Sequence, residues 1–245
     1  EGYYRKNQKG FGFVKIEEQE DEIYISKENS LNALNGDRVL IEIVEESNKV
    51  KKAEGKIKRI IKHEKDTVVG TFQNNRNFGF VVPDDKNFGT DIFISKTNFG
   101  KARDGHKVLV EITKYPKNDK KAEGKIIEIL GKPNEAGVDM LSLIKEYRLP
   151  SKFPEPVVKE AQKYGDKIDP KDIANRIDHR KDIIFTIDGE DAKDLDDAVR
   201  VIKLENGNYR LDVHIADVSH YVKENSLLDN EALIRGTSIY MLGRV

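Results

Sequence analysis

The chain has 245 residues, of which 37% are hydrophobic and 36% are charged, and its 43 basic residues nearly balance its 44 acidic residues. No apolar run reaches the ~18 residues that a membrane-spanning helix needs. The sequence has no cysteine, which excludes disulfide scaffolds, thiolate nucleophiles and cysteine-based zinc sites. Together these features exclude a membrane protein and a disulfide-stapled secreted protein, and we expect a cytoplasmic protein. Because neither end tapers into a polar tail, we also expect a fragment of a longer protein.

The first half of the chain contains a repeat. Four sequence blocks occur twice in the same order, and each copy shows short alternating apolar runs separated by Gly, Asn and Asp. A domain of ~65 residues with about five short strands is most economically a closed barrel, which leaves no exposed strand edge. We therefore predict two small β-barrels of the same kind, over residues 1–66 and 67–132. The paired blocks are 10–14 and 77–81, 22–26 and 91–95, 35–43 and 103–112, and 51–57 and 120–126.

The second half has a different pattern. Residues 133–175 predict a helical connector, with a helix over 140–147 capped by Asp139 and a second helix near 157–164. Residues 176–245 predict an α/β region that follows the all-β part. Its expected elements are strands at 183–187 and 209–215 and a helix at 227–235.

Aromatic residues recur in the strand-like segments of both copies. Alternate side chains of a strand share a face, so Phe11 and Phe13 project together. Exposed rings on a sheet stack on nucleic-acid bases, and neighbouring cations bind phosphate; the alternative, that the rings fill the barrel cores, stays open. Gly12 between the rings is interpreted as allowing close approach of a base. The candidate residues are Lys9, Phe11, Phe13 and Tyr24 in the first copy and Arg76, Phe78, Phe80 and Phe93 in the second.

These blocks resemble the two nucleic-acid-binding motifs of cold-shock domains, which belong to the OB-fold class. The match is close at 9–14 and 23–26. It is weaker in the second copy, where Asn77 replaces the usual Gly. The resemblance covers roughly residues 2–132, and it implies that these barrels bind single-stranded nucleic acid.

An acidic run spans residues 188–197 and directly follows a predicted apolar strand. Because apolar residues bracket the run, we expect the acids to lie at the mouth of a core. Carboxylates held close together repel one another unless a cation neutralises them, and carboxylate-only sites favour Mg²⁺ or Mn²⁺. A solvated acidic loop is the alternative. A calcium EF-hand fails on spacing, because Lys193 and Val199 occupy positions that require Gly and Glu.

The same region resembles the ribonuclease II/ribonuclease R family of 3′→5′ exoribonucleases. The resemblance rests on Thr-Ile-Asp at 186–188, Asp-Leu-Asp-Asp-Ala at 194–198 and the run at 213–222, which favours the ribonuclease R branch. Members of this family carry two cold-shock domains ahead of the catalytic domain, which is the order found here. The resemblance implies Mg²⁺-dependent hydrolysis of single-stranded RNA from its 3′ end, releasing nucleoside 5′-monophosphates, by a protein that we expect to be monomeric.

Residue roles follow from the same resemblance. It implies that Asp188, Asp194 and Asp197 hold Mg²⁺, that Asp196 is the acid needed for the chemical step, and that Tyr240 stacks on the RNA near its 3′ end. The downstream part of the family's catalytic domain, with a further arginine, is absent from this sequence. Whether this chain is active by itself therefore stays open.

Two alternatives remain. His214, Asp217 and His220 could act in catalysis or in structure, and strand or cap positions favour structure. The whole protein could also be a non-catalytic RNA-binding protein or RNA chaperone of the cold-shock type. In that case, the acidic residues would be solvent-exposed surface residues with no catalytic role.

Overall fold

The computed structural model describes residues 1–17, 19–46, 53–117 and 120–241. The chain divides into two compact units, Glu1–Leu149 and Pro150–Val245. The division falls inside the stretch that the sequence predicts as a helical connector. The first two residues of the repeat block at 51–57 and the last four residues of the predicted third region lie outside the described residues.

The first barrel is a closed sheet with strand order β1-β2-β3-β5-β4. Pairing of β1 with β4 closes the sheet, and β3 and β5 are its parallel neighbours. Alternate residues point inward and form a core that includes Tyr4, Val14 and Ile25, each at most 1% exposed. The strands are β1 Gly2–Lys6, β2 Gly12–Lys15, β3 Ile23–Ile25, β4 Arg38–Glu45 and β5 Glu54–Lys62.

The second barrel repeats this topology, with strand order β10-β8-β7-β6-β9 and closure between β9 and β10. Phe72, Phe88 and Ile94 lie in its core. The predicted fold class, two tandem five-stranded barrels followed by an α/β region, is confirmed. The strands are β6 Thr67–Asn75, β7 Phe78–Pro83, β8 Ile92–Ser95, β9 Lys107–Lys114 and β10 Ala122–Gly131, with 3-10 turns at Lys86–Phe88 and Lys96–Asn98.

The two barrels share buried contacts. Leu34 of the first barrel is 1% exposed and belongs to the core cluster of the second. The fully buried carboxylate of Asp37 accepts the Leu34 amide at 2.8 Å and contacts His63 Nδ1 at 2.8 Å. The His63 ring in turn stacks on Tyr115 of the second barrel, with centroids 3.5 Å apart. These contacts fix one barrel against the other.

Helix α1, Val138–Glu146, packs on the second barrel and belongs to the first unit. Its N-cap is Gly137 in a left-handed conformation, so the predicted cap at Asp139 is wrong. Asp139 instead lies in the first turn, where its negative charge complements the helix dipole.

The second unit has four helices and a two-stranded antiparallel ribbon in its described part. The strand expected at 183–187 is wrong, because that segment forms a single bridge, Phe185 to Val199, rather than a ladder. None of the described helices is long and apolar enough to cross a bilayer. The elements are α2 Glu155–Gln162, α3 Pro170–Ile173, β11 Asp197–Lys203, β12 Tyr209–Ile215, α4 Val218–Tyr221 and α5 Leu227–Arg235.

Candidate nucleic-acid interface and acidic loop

Three aromatic rings form a cluster on the first barrel, which we call platform 1. Phe11 lies just before β2, Phe13 lies in β2, and Tyr24 lies opposite Phe13 in β3. Their centroids are 6.0 Å apart for Phe11 and Phe13, 5.7 Å for Phe11 and Tyr24, and 5.8 Å for Phe13 and Tyr24. The three rings are thus close enough to act as one surface.

The second barrel carries the equivalent cluster, platform 2, made of Phe78, Phe80 and Phe93. Phe80 lies opposite Phe93 across the β7–β8 pair. Centroid separations are 5.6 Å for Phe78 and Phe80, 6.0 Å for Phe78 and Phe93, and 5.9 Å for Phe80 and Phe93. The two copies of the sequence repeat therefore carry the same arrangement of three aromatic rings.

All six platform rings are half-buried and lie outside the core clusters of the two barrels. The structure places them on the outer face of each sheet, as required for stacking on bases, and not in the cores. Each ring leaves one part open to solvent while its neighbours on the sheet hold it in place. A flat, partly exposed ring in a rigid sheet is suited to stacking because little conformational freedom is lost on binding.

The interpretation of the intervening glycine is wrong. Gly12 is buried and faces inward, where a Cβ atom would lie 2.6 Å from Cζ of Tyr4. Gly79 faces inward in the same way, 2.8 Å from Cζ of Phe72. Side chains alternate along a strand, so a residue between two outward rings must point into the barrel. The glycines make room for a core aromatic ring beneath each platform.

Cations flank both platforms. Lys9 and Arg76, which precede the rings of platforms 1 and 2 in the sequence, are both exposed. Lys121, which the sequence analysis did not single out, places its Nζ 4.7 Å from the centroid of Phe80 and pairs with Asp91. No sequence pattern joins Lys121 to Phe80, because the contact depends on the parallel β8–β10 pairing.

The predicted acidic site lies in the second unit, in the loop that leads into β11. Asp188, Asp194, Asp196 and Asp197 are all exposed. The expectation that they lie at the mouth of a core is wrong, because the flanking Ile187 and Leu195 are 83% and 63% exposed.

Strand pairing fixes the end of this loop. The carbonyl of Asp196 accepts the Ala216 amide at 2.7 Å, and Asp197 pairs with Ile215. Asp197 is the first residue of β11, and Asp196 directly precedes the strand. Among the described residues, no three His, Asp or Glu side chains lie close enough together to hold a metal ion. Carboxylate oxygens are suitable ligands for a hard divalent cation, but in the described residues these carboxylates are not close enough together to bind one ion.

Tyr240 lies at the acidic loop. Its hydroxyl donates to Asp194 Oδ2 at 2.6 Å. This hydrogen bond to an anion raises the pKa of Tyr240, and the charge of Asp196 acts in the same direction. The structure thus joins Tyr240 to one of the predicted metal ligands, although 46 residues separate them in the sequence.

Comparison with known proteins shows which family the chain belongs to. Three protein-family models match successive parts of it: a Ribonuclease B OB domain over residues 2–60, a cold shock domain over 80–154 and an RNB domain over 176–245. Ribonuclease R 1 of Lactococcus lactis is 41% identical over the whole chain, and Ribonuclease R of Thermotoga maritima is 42% identical over 96% of it. The chain belongs to the ribonuclease R family.

The chain spans about a third of these relatives, 31% of the first and 33% of the second. Among solved structures, Mycoplasma genitalium RNase R in complex with ribose methylated single-stranded RNA matches with a TM-score of 0.85. That match covers 100% of this chain and 39% of the other, at 23% identity. At this identity the likeness shows a shared fold.

In this ribonuclease R relative, the local contacts of His214, Asp217 and His220 indicate what these three polar residues do. His220 Nε2 lies 3.2 Å from Asp172, and Asp217 pairs with Arg176 at 2.5 Å. This ion pair holds the pKa of Asp217 below its usual range. His214 lies in β12 with a buried Nε2 that has no hydrogen-bond partner among the described residues. The contacts of His220 and Asp217 support structural roles.

Proposed function

We propose that the longer protein to which this chain corresponds is a 3′→5′ hydrolytic exoribonuclease that degrades single-stranded RNA and releases nucleoside 5′-monophosphates. In this proposal, the barrels bind the RNA and the acidic loop contributes to the hydrolytic site. Family membership supports the reaction class. The absence of cysteine supports a cytoplasmic location, and we propose that the protein acts as a monomer.

The observation that carries the RNA-binding half of the proposal is the pair of platforms. Each barrel holds three aromatic rings within about 6 Å of one another, half-exposed and outside its core. Each base stacked on such a ring contributes ~1–3 kcal/mol to binding, and because every base has a flat face the contact tolerates any sequence. Two platforms in tandem suit a processive enzyme that must hold RNA without reading its sequence.

We propose Mg²⁺, or Mn²⁺, as the cofactor of the hydrolytic site, with Asp188, Asp194 and Asp197 as its ligands and Asp196 in the chemical step. A divalent ion of this kind polarises a phosphate and lowers the pKa of a bound water. Carboxylate oxygens are the donors it prefers. Since the described geometry keeps these carboxylates apart, the proposal requires the loop to rearrange around the ion.

A nuclease assay tests the reaction. A 5′-labelled single-stranded RNA is incubated with Mg²⁺ or with EDTA and resolved on a denaturing gel, using this chain and the full-length protein in parallel. We expect the full-length protein to shorten the RNA from its 3′ end only with Mg²⁺. Asp197→Asn should abolish the shortening, whereas Glu190→Gln, a neighbouring acid outside the predicted ligand set, should preserve it.

A second candidate is a non-catalytic RNA-binding protein, and the separation of the carboxylates in this structure favours it. It predicts intact RNA with the full-length protein in Mg²⁺ and in Mn²⁺. It also predicts no difference between Asp197→Asn and the unmodified protein. Shortening by the full-length protein but not by this chain would leave the reaction in place and make this part an RNA-binding segment.

A binding assay tests the platforms separately from the reaction. Phe11→Ala and Phe80→Ala each remove one ring from a platform. We expect each to weaken binding of this chain to labelled oligouridine by ~1–3 kcal/mol, the value of one stacked base. Tyr209→Ala, which removes an exposed ring from the second unit, provides the control. Unchanged affinity in both platform variants would remove the basis for RNA binding by the barrels.

A further inference from the structure

The chain contains four places where an Asp or Asn directly precedes a Gly. In such a pair, the glycine amide nitrogen can attack the side-chain carbonyl carbon of the preceding residue and close a five-membered succinimide ring. Glycine permits this attack because it has no side chain in the way and few backbone restraints. A fold prevents the attack when it holds both groups in other hydrogen bonds. The four pairs are Asn35-Gly36, Asp104-Gly105, Asp188-Gly189 and Asn206-Gly207.

Three of the four pairs are held on both sides. In each of them, the glycine amide donates to a backbone carbonyl, and the side-chain oxygen of the Asp or Asn accepts a backbone amide. The glycine donors and their acceptors are Gly36 to Tyr4 at 2.8 Å, Gly105 to Phe72 at 2.8 Å and Gly207 to Leu204 at 3.0 Å. The side-chain acceptors and their donors are Asn35 from Lys6 at 3.0 Å, Asp104 from Asn74 at 2.8 Å and Asn206 from Asn208 at 3.0 Å.

The fourth pair, Asp188-Gly189, is held on neither side. In the part of the chain that the structure describes, the Gly189 amide and the Asp188 carboxylate have no hydrogen-bond or ion-pair partner. Both residues are exposed and lie outside helices and strands. A Cβ atom at Gly189 would have one described non-adjacent neighbour within 4 Å, Asp191 Oδ1 at 3.5 Å. The backbone here therefore has open space around it, and both reacting groups are available.

We propose that Asp188 is a site of spontaneous isomerisation to isoaspartate. The Gly189 amide nitrogen bonds to Asp188 Cγ, and the amide hydrogen leaves with the carboxyl hydroxyl group as water. A water molecule then opens the succinimide ring. Attack at Cγ restores aspartate, whereas attack at the main-chain carbonyl carbon gives isoaspartate, in which the main chain runs through Cβ and Cγ. One water leaves and one returns, so the mass is unchanged and no oxidant or reductant takes part.

Isomerisation changes the acidic loop at one of its proposed metal ligands. It inserts one methylene group into the main chain after Asp188 and moves the carboxylate to a different carbon. Because catalytic groups must be held within about 0.5 Å of their working positions, the modified residue no longer fits the proposed ligand set. This consequence rests on the proposed function, but the chemical reaction at Asp188 does not depend on it.

Peptide mapping tests the site. The chain is incubated at neutral pH for several weeks and digested, and mass spectrometry with electron-transfer fragmentation distinguishes isoaspartate from aspartate in each peptide. We expect isoaspartate to accumulate at least about tenfold faster at Asp188 than at Asp104. The reason is that Asp104 reacts only after a local opening that breaks both of its hydrogen bonds. Asp104 is thus a control within the same sample.

Unfolding supplies a second control. In urea, neither Asp-Gly pair is held by the fold, so Asp188 and Asp104 should form isoaspartate at similar rates. The native preference for Asp188 should therefore disappear. A preference that persisted in urea would show that neighbouring residues, and not the hydrogen bonds of the fold, select Asp188, and it would overturn the structural argument.

Two variants sharpen the test. Gly189→Ala places a methyl group beside the attacking nitrogen and should remove most of the isoaspartate at Asp188; Gly189 has no positive φ, so alanine fits its backbone. Asp188→Asn creates an Asn-Gly pair at the same place, which loses ammonia instead of water in the first step. We expect this pair to deamidate faster than the pairs at Asn35 and Asn206 in the same sample.

The outcomes separate the modification from its consequence. Equal isoaspartate at Asp188 and Asp104 in the folded chain would overturn the proposal. Slow deamidation in Asp188→Asn, no faster than at Asn35, would overturn it as well. If isoaspartate accumulates at Asp188 while the aged full-length protein still shortens RNA at its original rate, the modification stands, and the role of Asp188 as a ligand in the proposed function fails.

Discussion

The two units of this chain bury their apolar residues to very different extents. In the first unit, Val14 and Phe72 are fully buried, and each barrel has a continuous core. In the described part of the second unit, Val157 is the one buried hydrophobic residue. Leu211 and Ile215 of the ribbon are 61% and 69% exposed.

The difference follows from topology. A closed barrel pairs every strand on both sides and encloses one face of the whole sheet, so even a short chain excludes water from its core. A two-stranded ribbon has two free edges and no enclosed face, and is marginally stable on its own. The proposed RNA platforms therefore lie on a rigid scaffold, whereas the proposed metal ligands lie on a weakly packed one. Among the described residues, the rings of each platform are assembled and the carboxylates are not.

Hydrogen exchange should show the largest difference between the units. We expect backbone amides in the β6–β9 pair to exchange at least about a thousandfold more slowly than those in the β11–β12 pair. The reason is that opening a packed domain costs several kcal/mol more than opening a ribbon. Mass spectrometry of peptides from each region gives the ratio, and similar protection in both would contradict the comparison.

Core truncation should show the next largest effect. Phe72→Ala removes a fully buried ring and should lower the free energy of unfolding of the first unit by ~3–5 kcal/mol. Leu211→Ala removes an exposed side chain of the second unit. It should change the free energy of unfolding of that unit by less than ~0.5 kcal/mol. Urea denaturation followed by circular dichroism measures both values. A large loss from Leu211→Ala would mean that the ribbon is packed in solution.

A glycine substitution sharpens the comparison at the platform. Gly79→Ala places a methyl group against the ring of Phe72 and close to the carbonyl of Gln73, and should cost ~1–3 kcal/mol of stability through overpacking. The control is Gly189→Ala in the acidic loop, whose nearest contact would be 3.5 Å from Asp191. Thermal unfolding compares the two. A neutral Gly79→Ala variant that lost RNA binding would restore the idea that this glycine admits a base.

The smallest expected effect concerns the attachment of helix α1 to the second barrel. Lys65 Nζ lies 2.6 Å from Glu146 and 2.9 Å from Asp85, and all three side chains are about four-fifths buried. Burial opposes the charge on Lys65, but the two hydrogen bonds outweigh it and raise its pKa. Lys65→Met should cost about 1–2 kcal/mol near pH 7, after allowance for solvent screening. Lys86→Met, at an exposed lysine nearby, should cost almost nothing.

This network also predicts a pH dependence. Burial raises the pKa of Asp85, but the hydrogen bonds from Lys65 and from the Asn87 amide lower it by more. The pKa of Asp85 therefore lies below the ordinary 3.8. Asp85 therefore contributes its full stability above about pH 5 and loses it as the pH falls through its folded pKa. Thermal unfolding at pH 7 and pH 3 should show a smaller acid loss in Lys65→Met than in the unmodified chain. An equal loss would mean that other carboxylates control acid unfolding.

The repeat made most of the first unit predictable. The same blocks occur at Phe11 to Phe13 and again at Phe78 to Phe80, so the alternation of apolar and polar residues supports the strand assignment in two independent copies. Both barrels and both sets of rings are predicted from this alternation. Alternation did not reveal that the intervening glycines face Tyr4 and Phe72, since that contact joins different strands. The region around 183–187 was less predictable, because an apolar run forms a strand only when a partner is available to pair with it.

The barrel repeat, the aromatic pairs, the acidic run and the family could all be predicted from the amino-acid sequence. These depend on residue types and on spacing within one segment, where local periodicity dictates which side chains share a face. Three contacts became visible in the folded chain alone: Lys6 and Lys27 line one groove, Lys121 covers Phe80, and Tyr240 reaches Asp194. Those contacts join residues far apart in the chain, and their geometry comes from strand pairing and barrel packing, which no single segment encodes.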